Sequence, residues 1–375
     1  MITVEQIDTH SKKQVNEFIS LQYRIYKNHP QWVPPLYTDA RMQLNREKHP
    51  YYKHSDADFF VARKGDQVVG RVAALENRRY NAYHNTRLAQ FYLFDCENDL
   101  EIANALFTAL FDWAKDRGLN QVVGPKGFGA LDGYGLLIEG FEYRQMMTMM
   151  NYNYPYYKQL IEALGFEKVV DFVSCYINTN SFQIPERILR IAERVQERGT
   201  LAVHKFETKQ EIRKWAEKIG KAYNNSFINN WEYYPLTDEE IAFLLENILA
   251  IANPRLIKVI THDNDVVGFL FGFPDLSAAL QRAQGRLLPF GIIYLLSDMK
   301  RTKWIALNGA GILPKFHGHG GNALLYSEMM KTVHEFKFEH ADLTQIAETA
   351  VQMRHDLENI GGKPYKNHRV YKKDL

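Results

Sequence analysis

The sequence predicts an α/β protein with a mixed sheet, built from two tandem copies of one unit. Three observations support this fold class. The chain has 375 residues, enough for two domains of about 150 residues each. The same series of motifs occurs twice in the same order. Hairpins alternate with helices that join neighbouring strands, which gives a sheet of mixed strand direction with helices on both faces.

Each copy contains the same elements in the same order. A polar turn followed by a Val-Val-Gly strand occurs at residues 65–75 and 264–273, each after an apolar strand, and predicts a β-hairpin. An amphipathic helix follows, at residues 105–118 and 322–336. Each copy then ends on a helix closed by glycine. We therefore interpret the chain as a divergent duplication.

The spacing of these motifs shows how the copies correspond. Val68 and Val266 lie 198 positions apart, and the closing glycines Gly165 and Gly361 lie 196 apart. Between the copies, Pro185 begins a polar-faced helix after a stretch that breaks regular structure. We predict a first domain at 1–180, a linker helix at 181–200 and a second domain at 201–375.

Composition excludes several classes of protein. Lys and Arg number 46 against 44 Asp and Glu, and a net charge of +2 is too small to predict a nucleic-acid partner. Cys96 and Cys175 are isolated, so we predict buried thiols, a reducing compartment and no metal site. The first residues lack a signal-peptide pattern, and no apolar run approaches the roughly 18 residues of a membrane span. The predicted location is the cytoplasm.

The clearest chemical signal is the segment 314–322, Pro-Lys-Phe-His-Gly-His-Gly-Gly-Asn, between an apolar strand and a helix. Its three glycines allow a sharp turn that exposes amide N–H groups at a helix N-terminus, which suits a pyrophosphate. Lys315, His317 and His319 could add positive charge. The alternative is a glycine-rich turn that only reverses the chain. The spacing matches neither a Walker loop nor a dinucleotide fingerprint.

This loop and the order of elements resemble the Gcn5-related N-acetyltransferase (GNAT) superfamily, in which loop amides hold the pyrophosphate of coenzyme A. More specifically, the chain is similar to a two-unit branch, the bacterial ceramide synthase-like proteins. The matching stretches are 32–35 with His49 and Pro50, 69–74 with Asn77, 124–125, 135–141, 153–157, 165–166 with Asp171, 230–231 with 235–237, 273–275, 285–291, the loop, and 361–365.

The resemblance implies two tandem GNAT-like acyl-CoA N-acyltransferase domains. For one branch it implies transfer of a fatty acyl group from a thioester to a sphingoid-base amine. In the first domain the corresponding loop, 95–99, has three carboxylates and no glycine, so it would repel a pyrophosphate. We therefore assign acyl-CoA to the second domain. The residues predicted to bind it are Gly309, Ala310, Gly311, Ile312, Lys315, His317, Gly318, His319, Gly320, Gly321 and Asn322.

Two departures from the superfamily concern the leaving group. Its usual Asn and Tyr near the last long helix correspond here to Ala350 and Leu357, and neither can donate a proton. Tyr365, Tyr326 or water could protonate the departing thiolate; otherwise the chain has lost catalysis. The superfamily also includes members that work largely by positioning the reactants. Glu348, at the predicted end of the fifth strand, is the candidate general base, and an ordinary solvated glutamate is the alternative.

The strand before the loop is the expected source of oxyanion stabilisation. In this fold the thioester carbonyl lies along the fourth strand, so the backbone of residues 309–312 would supply the donor. Two glycines in an otherwise apolar strand predict a bulge or a close backbone approach. The alternative is a merely weakened strand.

Candidate substrate residues come from the first domain. Its long insertion contains Asp132, Tyr134 and Glu139, which could face a cleft between the domains. Asn153 and Tyr157 belong to an aromatic, Met-rich segment at 146–157. Core packing is the first interpretation of that segment, and contact with a large apolar ligand is the second.

Residues 286–296 are apolar apart from one arginine. They could line an acyl-chain pocket or rest on a membrane surface, and a buried helix at a domain interface is the alternative. The predicted function is acyl-CoA-dependent N-acyl transfer to a small-molecule or lipid amine, with a long-chain amine as one acceptor class. The alternatives are a catalytically inactive protein that binds coenzyme A or lipid, and an aminoacyl-transferase-like enzyme with an RNA-linked donor, which the small net charge disfavours.

Overall fold

The computed structural model of the chain describes residues 1–129, 132–228, 230–231 and 233–375. Its strands alternate with helices in the predicted order. The strands are β1 (Ile2–Gln6), β2 (Asp56–Lys64), β3 (Gln67–Glu76), β4 (Leu88–Cys96), β5 (Gln121–Gly124), β6 (Leu136–Glu139), β7 (Glu167–Asn178), β8 (Ala202–Lys205), β9 (Ile257–His262), β10 (Asp265–Pro274), β11 (Trp304–Ile312), β12 (His340–Ala347) and β13 (Lys363–Asp374).

The helices surround these strands in sequence. They are α1 (Lys12–Ile25), α2 (Tyr37–Gln43), α3 (Arg78–His84), α4 (Leu100–Asp116), α5 (Tyr156–Ala163), α6 (Glu186–Arg198), α7 (Lys209–Ser226), α8 (Asp238–Ile251), α9 (Ser277–Ala283), α10 (Gly291–Arg301), α11 (Gly321–Glu335) and α12 (Val351–Asn359). Short 3₁₀ turns lie at Pro50–Lys53, Pro254–Leu256 and Pro314–Phe316.

The chain forms two compact units. The first comprises residues 1–173, 277–295 and 366–375, and the second comprises 174–276 and 296–365. Two segments that the predicted ranges place in the second domain, 277–295 and 366–375, therefore belong to the first unit. The predicted linker forms α6, which is part of the second unit.

The first unit has a mixed sheet with the strand order β1-β2-β3-β4-β5-β13. β4 and β5 are parallel, and the remaining neighbours in this order are antiparallel. α4 lies on one face because its apolar residues repeat at helical spacing and pack into the core. Gly70 of β3 permits this approach, since a Cβ there would lie 2.8 Å from the side chains of Ile102 and Leu106. The core of this unit is rich in aromatic rings.

The second unit repeats the arrangement with the strand order β8-β9-β10-β11-β12. β11 and β12 are parallel, while β8, β9, β10 and β11 pair antiparallel. α7 packs its apolar side on this sheet in a core that includes Phe206, Val259 and Phe269. The predicted mixed sheet is therefore confirmed in each unit.

The helix ends confirm the predicted duplication. α5 is followed by Gly165 with φ +81°, and α12 is followed by Gly361 with φ +80°. A left-handed residue just after a helix favours glycine because glycine lacks a Cβ. The hairpins β2–β3 and β9–β10 are also present at the predicted positions.

Candidate functional site

In the second unit, two parallel strands separate at their carboxyl ends. β11 and β12 pair from Trp304 opposite His340 to Leu307 opposite Leu343, and the pairing stops there. β11 continues to Ile312 and β12 to Ala347. The end of β11 therefore presents backbone groups on its β12 side that the sheet does not use, and such groups can bind an extended ligand.

A β-bulge lies where the strands separate. Opposite β10, the register shifts by one residue between Leu307 and Ala310. Gly309 has φ +85° there, and a Cβ at this position would lie 3.2 Å from the ring of Phe271. The bulge predicted from the two glycines is confirmed.

Asn308, next to the bulge, was not among the predicted site residues. Only 7% of the residue is exposed, and its side-chain Nδ2 has no hydrogen-bond partner in the described residues. A buried amide donor without an acceptor is costly, so a bound ligand that supplies an oxygen would relieve that cost. In the sequence, the only sign of this site residue was that Asn308 is a polar residue within an otherwise apolar strand.

The glycine loop lies between β11 and α11. Gly318 and Gly320 have φ +78° and +82°, which favours glycine at both positions. α11 has no side-chain cap at its N-terminus. Among the described residues, several amide N–H groups of the loop and the first turn of α11 donate no hydrogen bond: those of Lys315, Gly318, Gly320, Gly321, Asn322 and Ala323.

The charges around this loop favour an anion. Lys315, His317 and His319 are exposed, and the His317 ring donates to the carbonyl of Ile312 across the loop at 2.9 Å. The first turn of α11 carries no acidic residue, and the carboxylate beside it is that of Asp356, on α12. The side chain of Asn322 donates to Asp356 Oδ2 at 3.0 Å and is not part of the free amide set.

α6 packs against one side of the loop. A Cβ on Gly320 would lie 2.7 Å from Val195 Cγ2 and 2.9 Å from Ile191 Cγ2. Glycine is therefore required at this position for packing as well as for its φ angle. Gly318, by contrast, is exposed, and nothing lies within 4 Å of a Cβ built there.

The three predicted catalytic side chains also lie in the second unit. The Tyr365 hydroxyl donates to Asp342 Oδ1 at 2.5 Å, and Asp342 is fully buried on β12. The Tyr326 hydroxyl lies 3.7 Å from Met353 Sδ, and burial raises the pKa of Tyr326. Glu348 is half-buried just beyond the end of β12. Their catalytic roles stay predictions.

The corresponding loop of the first unit differs. Asp99 caps α4 by accepting from the Glu101 amide at 2.9 Å, so a carboxylate occupies the helix N-terminus. β4 has a register shift near Leu93, which has φ +49°, so this strand also bulges. The strand feature is thus duplicated, whereas the glycine loop is not.

A cavity of about 260 Å³ lies within the first unit. Asp132 and Asn153, two of the predicted substrate residues, line it. Its remaining wall comes from α1, α2, the 32–35 segment, β3, β4 and residues 145–153, and includes Tyr26, Trp32, Asp39, Gln43, Arg71, Tyr92, Asp95, Asn151 and Tyr152.

The other predicted substrate residues lie outside this wall. The Tyr134 ring stacks on Phe172 with centroids 4.8 Å apart, and Glu139 is exposed at the end of β6. Tyr157 is fully buried, and its hydroxyl lies 3.3 Å from Asp95 Oδ1. The Tyr157 side chain is therefore a core group. Asn153 holds the backbone of Leu137 through both its amide atoms.

An ion pair that sequence reasoning missed forms part of the cavity wall. Arg71 Nε and Nη2 donate to Asp95 Oδ2 at 2.9 and 2.6 Å. The Tyr26 hydroxyl donates to Asp95 Oδ1 at 2.9 Å. Asp95, expected to be a loop carboxylate that repels phosphate, is instead a buried and fully partnered group.

Residues 286–296 do not form a buried helix, so that interpretation is wrong. Four of the twelve large hydrophobic side chains that are exposed in the described residues lie within residues 288–293. None of the described helices combines the length and apolar character needed to cross a bilayer. The described part of the chain also has no group of three or more His, Cys, Asp or Glu side chains placed to hold a metal, and Cys96 and Cys175 are buried and free.

Two curated proteins match nearly the whole chain. Protein YghO of Escherichia coli is 27% identical over 371 residues, covering 97% of this chain and 94% of that protein. A bacterial ceramide synthase of Caulobacter vibrioides is 27% identical over 384 residues, covering 98% of this chain and 97% of that protein. No protein-family profile matches the chain.

Solved structures show the fold. A tandem GNAT protein from the clavulanic acid biosynthesis pathway superimposes with a TM-score of 0.56 and 10% identity. The match covers 100% of this chain and 98% of that protein's chain. A GCN5-related N-acetyltransferase from Sphaerobacter thermophilus has a TM-score of 0.52 and 12% identity, covering 100% of this chain and 95% of its own. The predicted resemblance is confirmed at the level of the fold: the chain has the tandem GNAT fold.

Proposed function

We propose that this tandem GNAT-fold chain is an N-acyltransferase whose acyl-CoA donor binds at the glycine loop of the second unit. The observation that carries the proposal is the set of amides without a hydrogen-bond acceptor among the described residues, which includes those of Gly318, Gly320, Gly321 and Asn322 at the N-terminus of α11. A diphosphate accepts hydrogen bonds from such amides, and the helix dipole favours its charge. The first turn of α11 contains no acidic residue, and the nearby Asp356 carboxylate already accepts hydrogen bonds from the side chains of Asn322 and Gln352.

The geometry of β11 suits the pantetheine arm and the thioester of the acyl-CoA donor. In the described residues the pairing of β11 with β12 ends at Leu307, so the β11 backbone beyond it can pair with the amides of a pantetheine arm. The thioester would then lie near the bulge at Gly309. Asn308 Nδ2 and the backbone of residues 309–312 are the donors available for a developing oxyanion.

The reaction is an aminolysis of the thioester. The neutral amine nitrogen attacks the carbonyl carbon, and the C–N bond forms as the C–S bond breaks. The nitrogen loses one proton and the sulfur of coenzyme A gains one. Because one relative is named a bacterial ceramide synthase, and a ceramide is an N-acylated long-chain base, a long-chain amine is the first acceptor to test.

Tyr365 is the residue we propose as the donor of the proton to the thiolate. Its hydroxyl is oriented by the buried Asp342 on β12, one position before the last paired residue of that strand. Tyr365→Phe is expected to lower kcat by about 100-fold, the lower end of the range for general acid catalysis, because water can replace the phenol in part. Affinity for coenzyme A should not change.

The control for this variant is Tyr176→Phe, which removes a neighbouring phenol that pairs with His340 instead. Single-turnover kinetics with an acyl-CoA and an amine measure the chemical step directly. If Tyr365→Phe retains wild-type kcat, the proton comes from another group.

A second candidate function is a non-catalytic protein that binds coenzyme A or a lipid. Ala350 caps α12 without a side-chain hydrogen bond, and Leu357 is only 3% exposed, so neither supplies the proton donor expected of the superfamily. Release of free thiol from acetyl-CoA or palmitoyl-CoA on addition of sphinganine separates the two functions. Amine-dependent release supports the enzyme. Thermal stabilisation by coenzyme A without any release supports the binding protein.

A further inference from the structure

The cavity of the first unit has an unbalanced charge. Three carboxylates line it, those of Asp39, Asp95 and Asp132, against one guanidinium, that of Arg71. Arg71 is already paired with Asp95. The wall therefore carries an excess of negative charge that no lining cation neutralises, and it would repel the diphosphate of coenzyme A.

Asp132 is the carboxylate best placed to meet a ligand. Its Oδ2 accepts from the amides of Phe128 and Gly129 at 2.6 and 2.9 Å. Its Oδ1 has one long contact, 3.4 Å from Gln43 Nε2. One carboxylate oxygen is therefore fixed by the backbone, while the other keeps hydrogen-bonding capacity on the cavity side.

The remaining wall also favours a cation. Trp32, Tyr92 and Tyr152 line the cavity, and aromatic rings attract positively charged groups, whereas the Tyr26 ring already stacks on Trp32 and Tyr154. The Tyr92 hydroxyl donates to Asn151 Oδ1 at 3.3 Å, and Asn151 Nδ2 donates to the carbonyls of Gly133 and Gly135. These bonds hold the wall in one arrangement, which reduces the entropy lost on binding.

We infer that this cavity binds the head of a ligand that carries a primary ammonium group, with Asp132 as its counter-ion. A volume of about 260 Å³ lies below the range of about 300–1,000 Å³ for drug-sized ligands, so only a compact head fits. This site goes beyond the proposed function, which places the acyl donor at the glycine loop of the second unit.

Asp132→Asn is the matched test because the amide oxygen of asparagine can still accept from Phe128 and Gly129. We expect the variant to bind 2-phenylethylamine at least about tenfold more weakly by calorimetry, because a charge-assisted hydrogen bond contributes about 1.5–3 kcal/mol. The neutral isostere 2-phenylethanol should bind equally to both proteins. Asp66→Asn, in the exposed β2–β3 turn, removes the same charge away from the cavity and should have no effect.

The pH dependence provides a second readout. Burial raises the pKa of Asp132 to about 6, so binding of the ammonium should weaken as the pH falls from 7 to 5. In Asp132→Asn this dependence should flatten. The other ionisable groups that line the cavity are Tyr26, Asp39, Arg71, Tyr92, Asp95 and Tyr152.

The outcomes separate this inference from the proposed function. The inference is overturned if the wild type binds 2-phenylethylamine and 2-phenylethanol equally, or if Asp132→Asn binds the amine as tightly as the wild type does. In either case, coenzyme A binding and thiol release still test the proposed function. If the wild type releases no thiol from acyl-CoA but still binds the amine more tightly than the alcohol, the proposed function is overturned and the inference about the cavity stands. Protection of residues 132–153 from hydrogen exchange by the amine, absent with the alcohol, locates the binding in this cavity.

A separate observation, the exposed segment 288–293, carries a second proposal. Leu288, Phe290, Ile292 and Ile293 are 78%, 61%, 41% and 58% exposed. The segment 277–301 contains the exposed Arg282, Arg286, Lys300 and Arg301 and one acidic residue, Asp298. Exposed apolar groups beside an excess of basic residues are typical of segments that insert shallowly into anionic membranes.

We propose that this segment docks on an anionic bilayer surface. Phe290→Ser with Ile293→Ser should lower co-sedimentation with phosphatidylglycerol vesicles at least about fivefold, because it removes two apolar side chains that the bilayer interface would bury. Tyr83→Ser, at an exposed aromatic residue of α3, is the control and should sediment like the wild type. Equal binding of wild type and double variant overturns the proposal. So does a wild-type dimer that the double variant converts to a monomer, because the segment would then bind a second copy.

Discussion

Gly318→Asp is expected to abolish measurable coenzyme A binding. The substitution places a carboxylate within the loop whose amides are proposed to hold the diphosphate. At about 4 Å and an effective dielectric of about 20, two unit charges repel by roughly 4 kcal/mol, which corresponds to a loss of several-hundred-fold in affinity. Calorimetric titration with coenzyme A measures the loss directly.

Gly318→Asn is the matched control. Asparagine and aspartate have nearly the same shape, and both tolerate the left-handed conformation that Gly318 adopts, φ +78°. Nothing lies within 4 Å of a Cβ at this position, so neither side chain meets steric conflict. We expect Gly318→Asn to retain affinity within about tenfold. Equal affinities of the two variants would show that the diphosphate does not lie on this loop.

Arg71→Met is expected to destabilise the first unit by about 3–5 kcal/mol. The substitution leaves the Asp95 carboxylate buried without its cation, and breaking a buried pair from one side has a cost of this size. Tyr26 and Tyr157 still contact Asp95 Oδ1, but their neutral hydroxyls do not replace the guanidinium. Hydrogen exchange of the β3 and β4 amides should accelerate by at least about 100-fold.

Two further variants isolate the cause of this destabilisation. Adding Asp95→Asn to Arg71→Met should restore much of the lost stability, because the unpaired charge is then absent. Arg24→Met removes an arginine of the same unit whose ion pair with Glu97 is 41% exposed on each side, and it should cost at most about 1 kcal/mol. If Arg71→Met behaves like Arg24→Met, the buried pair does not stabilise the fold.

Features that depend on neighbouring residues were predictable from the sequence. The glycine that closes a helix, such as Gly165, and the bulge at Gly309 follow from the backbone conformations that glycine permits. The hairpins follow from short polar turns between apolar strands. These signals occupy windows of a few residues, so no tertiary information is required to recognise them.

Membership of the two units was not predictable in the same way. Residues 366–375 join the first unit because β13 pairs with β5, placing Tyr371 opposite Gly124. No local pattern in either strand specifies a partner so distant in the chain. Residues 277–295 join it through long-range contacts as well, for example the Gly285 carbonyl that accepts from the Tyr37 amide.

The candidate site also combines features that the local sequence predicts with features that depend on long-range contacts. The glycine loop was evident because its residues are consecutive. The cavity was only partly anticipated, through Asp132 and Asn153, because its wall is assembled from segments between residues 18 and 280. The pairing of Arg71 with Asp95 depends on the alignment of β3 with β4, where these residues lie opposite each other.

The most direct test of the account is a crystal structure of the wild-type chain grown with saturating coenzyme A. We predict that the diphosphate oxygens lie about 3 Å from the amide nitrogens of Gly318, Gly320, Gly321 and Asn322, with the pantetheine arm along the unpaired side of β11. A coenzyme bound with its diphosphate in the first unit, or no bound coenzyme at saturation, would contradict the account.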